Sequence, residues 1–180
     1  LTAIETTVEE RYQGLYADKI ASFKRKIAAF GFHFASLDIR QDARQLGKIL
    51  LDIDSTHPYI FPDGWRERSE EARIDVFLSI KGDVNIKLLT HELANDTLSS
   101  MQSIKGIQAR NGELGCHRYI ISNCSGAYDM AVMIALFRLS GWTDDPITVD
   151  LVPLFETVTD LAGAGPNMTR LYELPLYAEH

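Results

Sequence analysis

RYIISNCSGAYDMAVMIALFRLSGWTDDPITVDLVPL, residues 118–154, decides the fold class. RYIIS (118–122) is a short β-branched and aromatic run that reads as a strand. Residues 125–139 then switch to helical spacing, with Ala127, Met130, Ala131, Ile134 and Phe137 on one apolar face, and Gly141 closes the helix. ITVDLVPL (147–154) reads as the next strand. Strand, helix, strand implies a parallel pair, because a parallel connection needs a crossover of about a dozen residues or more. Upstream, Phe32, Phe34, Leu37 and Ile39 form another apolar run that reads as a buried strand.

The remaining chain reads mostly as helix. Apolar residues from Ile4 to Phe30 predict one amphipathic helix over 2–30, bent at Gly14 and stopped by Gly31. Helical periodicity returns over 41–51, and residues 54–64 carry loop chemistry. Ser69 is an expected N-cap for a helix to about residue 79. Further helical stretches cover 84–94 and 97–110, ended by Asn111-Gly112. A helix begins at 158–162, Gly163-Ala164-Gly165-Pro166 reads as a turn, and 168–174 forms a last short helix. The expected architecture is α/β: a helix-rich partial β/α barrel of the TIM type, with about three parallel strands and long helices. It is read as a single domain over 1–180, with a helical insertion at about 42–112 between strands.

Composition narrows the function. The chain has 180 residues, with 18 Lys+Arg against 25 Asp+Glu and a net charge of −7. Nucleic acid and anionic membrane surfaces are therefore excluded as general partners, because phosphate neutralisation needs a basic surface. No apolar run approaches the ~20 residues of a membrane helix. Cys116 and Cys124 flank the second strand, where eight extended residues span roughly 26 Å, beyond disulfide reach. Both read as reduced thiols of a cytoplasmic protein.

Functional residues of parallel β/α folds sit at the C-terminal strand ends. Arg40 at the first strand and Glu156 after the third suit an anionic substrate beside a divalent metal. Guanidinium matches phosphate or carboxylate in bidentate geometry, and a carboxylate is a proper hard ligand for Mg2+ or Mn2+. Each has a plainer role too: Arg40 can pair with Asp38 or Asp42, and Glu156 can cap the following helix. Ser122, Asn123 and Ser125 read most simply as a capping cluster, with Asp129 in the first turn of its helix. His33, His57 and His91 read as structural or solvated. Cys124 lacks a local base to make it a nucleophile.

Three segments carry a resemblance. FGFHFASLDIRQD (30–42), RYIISNCS (118–125) with Asp129, and VDLVPLFET (149–157) resemble consecutive motifs of the phosphoenolpyruvate carboxylase family. DLAGAGPNMTRLYELPLY (160–177) resembles the family stretch that follows them, and the match thins between residues 51 and 100. NGELGCHRYIISN (111–123) and ALFRLSGW (135–142) look closest to its bacterial branch.

The resemblance implies a β/α-barrel lyase that makes oxaloacetate and phosphate from phosphoenolpyruvate and bicarbonate. Arg40 matches the motif arginine on the substrate phosphate, and so counts as a catalytic and substrate-binding residue. Glu156 matches one of two acidic ligands of Mg2+ or Mn2+. The second acidic motif, an upstream histidine loop and a downstream Gly/Arg-rich loop are not in these 180 residues. The chain is therefore expected to be an internal slice, inactive alone and prone to self-association, of a parent that is usually a homotetramer. Two alternatives stay open: a non-catalytic scaffold or interaction domain derived from such a barrel, and another metal-dependent barrel lyase acting on a small anionic acid.

Overall fold

The computed structural model describes residues 1–31 and 33–180. Its centre is a three-stranded parallel sheet in the order β1-β2-β3, formed by β1 (Asp38–Asp42), β2 (Arg118–Ser122) and β3 (Asp150–Pro153). The register sets Arg40 beside Ile120, and Ile120 beside Val152. The chain between β1 and β2 forms three helices, α3 (Leu46–Thr56), α4 (Glu70–Ser79) and α5 (Glu92–Asn111). Helix α6 (Ala127–Phe137) is the crossover between β2 and β3. The sheet is thus parallel and α/β, as the 118–154 stretch predicts. It is open rather than closed into a barrel.

Strand alternation gives the sheet two unlike faces. Tyr119, Ile121 and Leu151 point into the core. Every residue of α6 except Tyr128 is buried, as expected of a helix that is apolar nearly all round. Phe137 meets Tyr119 and Trp142 edge-on, with ring centroids 5.2 and 5.8 Å apart. The Trp142 indole N–H donates to the Met101 carbonyl at 3.1 Å, which keeps its polar end satisfied inside the core. The opposite face carries Asp38, Arg40 and Asp42 from β1, Arg118, Ile120 and Ser122 from β2, and Asp150 and Val152 from β3, all exposed or half-buried.

Asp52 fastens the α3–α5 excursion. It is only 7% exposed, and its carboxylate accepts from the Thr90 hydroxyl, the Thr90 N–H and the His91 N–H. Nearby, buried His57 accepts the Asn85 N–H on Nε2 at 3.0 Å. Burial acts to raise the Asp52 carboxyl. The hydrogen bonds from Thr90 and His91 outweigh it and hold the group below its ordinary value. Asp52→Ala is therefore expected to lower the unfolding free energy by roughly 2–3 kcal/mol at pH 7. Because the folded carboxyl titrates lower than the unfolded one, this contribution is complete above about pH 4 and fades as pH falls through the folded value. Urea titrations at pH 7 and pH 3 measure it. Equal midpoints for both proteins at pH 7 would count against it.

Several expected boundaries shift. The helix over 2–30 is two helices, α1 (Thr2–Tyr12) and α2 (Ala17–Phe30), because Gln13, Gly14 and Tyr16 all take left-handed φ. They pack on each other and bury none of their residues, so Ile4, Phe23 and Ile27 stay exposed. The apolar run expected as the first strand overlaps it only at its end: Ile39 lies in β1, opposite Tyr119, and the described residues before Asp38 are not strand. Phe34 and Leu37 are 79% and 70% exposed, and pairing starts only at Asp38, opposite Arg118. Apolar character alone cannot make a strand where the partner strand has not begun. His33 therefore lies outside the sheet, and Phe32 lies outside the described residues. The 84–94 stretch is a short 3-10 turn at Ile86–Leu88 before α5, and Gly112 ends α5 as expected.

The expected turn at Gly163–Pro166 is instead helix. α7 (Val158–Tyr172) runs straight through it. Pro166 removes one backbone donor inside the helix, and a complete capping box starts it. A last turn, α8 (Pro175–Ala178), brings Tyr177 and His180 to the outer edge of β3. There Tyr177 Oη donates to the Leu151 carbonyl at 3.1 Å, and His180 Nε2 accepts the Leu151 N–H at 3.3 Å. Among the described residues no helix is long and apolar enough to cross a membrane.

Candidate functional site

The C-terminal ends of the three strands meet in a polar network. Asp42 closes β1, and its carboxylate receives the Arg44 guanidinium through Nε at 3.0 Å and Nη2 at 2.6 Å. The Arg44 backbone N–H adds a third contact at 3.0 Å. The guanidinium holds the Asp42 carboxyl below its usual range, against the partial burial that acts to raise it. The Arg44 side chain rises in turn through Asp42, with a smaller contribution from the charge of Glu156.

Asn123 follows β2 in the left-handed region, with φ 51°. Asparagine tolerates that conformation better than most residues. Its side-chain NH2 lies 3.4 Å from Asp42 Oδ1, and its backbone N–H donates to Glu156 Oε1 at 3.1 Å. Ser122 Oγ donates to the Gln41 carbonyl at 3.3 Å. Three strand ends that are distant in sequence are thereby tied together.

Glu156 does not cap α7. Thr157 does so with Asp160: the Thr157 hydroxyl accepts the Asp160 N–H and the Asp160 carboxylate accepts the Thr157 N–H, each at 3.1 Å. The Glu156 side chain is left to reach across to β2. Arg40 is exposed on the open face between Asp38 and Asp42. Both of its candidate partners are engaged elsewhere, Asp38 with Arg118 at 3.5 Å and Asp42 with Arg44. Among the described residues, Arg40 makes no ion pair and no side-chain hydrogen bond. Arg40 lies mid-strand beside Ile120, and among the described residues no hydrogen bond or ion pair joins it to Glu156.

The other singled-out groups resolve as structural. Helix α6 opens at Gly126, with φ 145°, and not at a serine cap. Asp129 instead reaches back to accept the Ser125 N–H and hydroxyl, each at 2.7 Å. His91 caps α5 through Nδ1, 3.3 Å from the Leu93 N–H. Cys116 and Cys124 are buried free thiols, and burial pushes Cys124 up to about 12, which removes it as a nucleophile at neutral pH. Asp42 was legible only as a possible ion-pair partner of Arg40, and Arg44 was not singled out at all, since a network across strand ends leaves little local sequence pattern.

A divalent cation can be tested against these donors. Glu156 offers the right chemistry, a carboxylate whose Oε1 is fixed by an N–H and whose Oε2 has no partner among the described residues. Among those residues, however, no group of three or more His, Cys, Asp or Glu side chains is placed to hold a metal. The described residues therefore hold no complete metal site.

The family model for phosphoenolpyruvate carboxylase matches residues 1–180. The chain belongs to the phosphoenolpyruvate carboxylase family. A phosphoenolpyruvate carboxylase of Gloeobacter violaceus is 29% identical over 93% of this chain. One of Trichormus variabilis is 30% identical over 91% of it, and one of Nocardia farcinica 28% identical over 99%. The chain spans 18%, 17% and 20% of the length of these three carboxylases.

Proposed function

We propose that this chain forms part of an enzyme that makes oxaloacetate and phosphate from phosphoenolpyruvate and bicarbonate, with Mg2+ or Mn2+. The free Arg40 guanidinium beside the strand-end network is the observation that carries the reading. An arginine left unpaired between two acids, each with another partner, is suited to an external anion. Its planar fork matches phosphate oxygens in bidentate geometry. Glu156 contributes one carboxylate to the divalent ion. That ion, when bound, supplies Lewis-acid stabilisation of negative charge on the substrate oxygen. Arg40 binds and orients the phosphate, and Arg44 with Asp42 keeps a fixed polar wall beside it. The intact enzyme is read as a cytoplasmic homotetramer, in keeping with the two reduced thiols and the family's usual assembly.

Oxaloacetate formation by a full-length protein carrying this stretch tests the reading. Turnover is expected to require phosphoenolpyruvate, bicarbonate and the divalent ion together. Arg40→Gln is expected to cut kcat/KM for phosphoenolpyruvate by at least about 10²-fold, the usual cost of losing a charged transition-state contact. No product from the unsubstituted protein would overturn the reading.

A further inference from the structure

We infer that Arg44 is a positioning residue for phosphoenolpyruvate: by occupying Asp42 it keeps Arg40 free for the substrate phosphate. The inference rests on the reading of Arg40 as the phosphate ligand. Residues 38, 40 and 42 lie on one face of β1, because strand side chains alternate. Arg40 therefore stands between two carboxylates, each two residues or roughly 6.6 Å away along the strand. An arginine side chain spans that distance, so an idle acid on either side would draw Arg40 into an ion pair with its own strand. Neither acid is idle. The Arg44 Nε lies 3.0 Å from both Asp42 oxygens, and Nη2 lies 2.6 Å from Oδ2. The Arg44 backbone N–H holds Oδ1 as well, at 3.0 Å. A guanidinium fork on a carboxylate is the geometry in which an ion pair is strongest. The other neighbour of Asp42, the Asn123 amide at 3.4 Å, carries no charge to neutralise it. On the far side Arg118 meets Asp38 through one contact at 3.5 Å, so the Arg44 pair is the tighter of the two.

The size of the effect follows from competition. An exposed ion pair shifts its own equilibrium by a factor of about 1.5–5. Without Arg44, a pair of that strength between Arg40 and Asp42 occupies the guanidinium in most molecules. Apparent affinity for the phosphate then falls by the fraction left free, about two- to sixfold. The turnover number should hold, because bound substrate has already displaced Asp42 from Arg40.

The test compares Arg44→Gln with the double variant Asp42→Asn/Arg44→Gln in a full-length carboxylase carrying this stretch. KM for phosphoenolpyruvate and kcat are read separately at saturating bicarbonate and divalent metal. Arg44→Gln is expected to raise KM about two- to sixfold and to keep kcat within about twofold. The double variant is expected to bring KM back to within about twofold of the unsubstituted enzyme, because no idle acid then competes for Arg40. A merely structural role for the Arg44–Asp42 pair gives the opposite order, since removing both partners cannot restore what removing one has lost. An unchanged KM in Arg44→Gln would overturn the inference. So would a raised KM that persists in the double variant, which would mean that Arg44 meets the substrate itself or only holds the fold. Arg40→Gln, measured alongside, tests the underlying reading: if it leaves kcat/KM unchanged, Arg40 is not the phosphate ligand, and the role of Arg44 falls with it.

Discussion

A full-length carboxylase carrying Glu156→Gln is expected to make oxaloacetate about 10²–10³-fold more slowly than its parent. The substitution is unusually clean here. Glutamine keeps the length of the side chain, and its carbonyl oxygen can still accept the N–H that Asn123 now gives to Glu156 Oε1. The capping box of Thr157 and Asp160 does not involve position 156, so α7 is untouched. What disappears is the negative charge. A hard divalent cation binds a neutral amide oxygen far less well than a carboxylate, and Arg44 nearby then meets one anion fewer. The defect should therefore ease in part as Mn2+ is raised, while KM for phosphoenolpyruvate at saturating metal changes little. Activity within about threefold of the parent would show that Glu156 is only a backbone acceptor.

The 180-residue chain on its own is expected to give no oxaloacetate above background at any metal concentration. It holds one phosphate-type cation and one carboxylate of the proposed set, and among the described residues no cluster can hold a metal. Groups that act as a unit fail together, so losing several leaves almost nothing of the rate enhancement. The open face of the sheet makes matters worse. Arg40 is exposed, and a charge in water is worth a fraction of the same charge in an excluded site. Discontinuous assay of the purified chain with phosphoenolpyruvate, bicarbonate and Mn2+ decides the point. Steady turnover abolished by Glu156→Gln would mean that this stretch carries a complete site.

The legible parts of the molecule were those where local pattern and tertiary environment agree. β2 fell where RYIIS predicts it, because Tyr119 and Ile121 are buried and the strand pairs with neighbours on both sides. Ser69 caps α4 as expected, through a hydroxyl that accepts the Ala72 N–H. Legibility failed where pairing or packing overrules composition. Phe34 and Leu37 are apolar enough for a strand but have no partner strand beside them. Pro166 and two glycines read as a turn, yet α7 absorbs them. At the site, Arg40 and Glu156 stood out because their motifs are local. Asn123 was visible only as a capping residue, since its partners Asp42 and Glu156 lie 81 and 33 residues away. A network built across strand ends is encoded in topology, and topology is read last.

The two edges of the sheet are chemically unlike. Beyond β3, the Leu151 carbonyl and N–H are already answered by Tyr177 and His180, so an incoming strand would first have to displace a phenol and an imidazole. Among the described residues β1 pairs with β2 alone, and no side chain answers its outer backbone groups in this way. On the β3 side, strand addition is thus blocked by two side chains that belong to the fold itself.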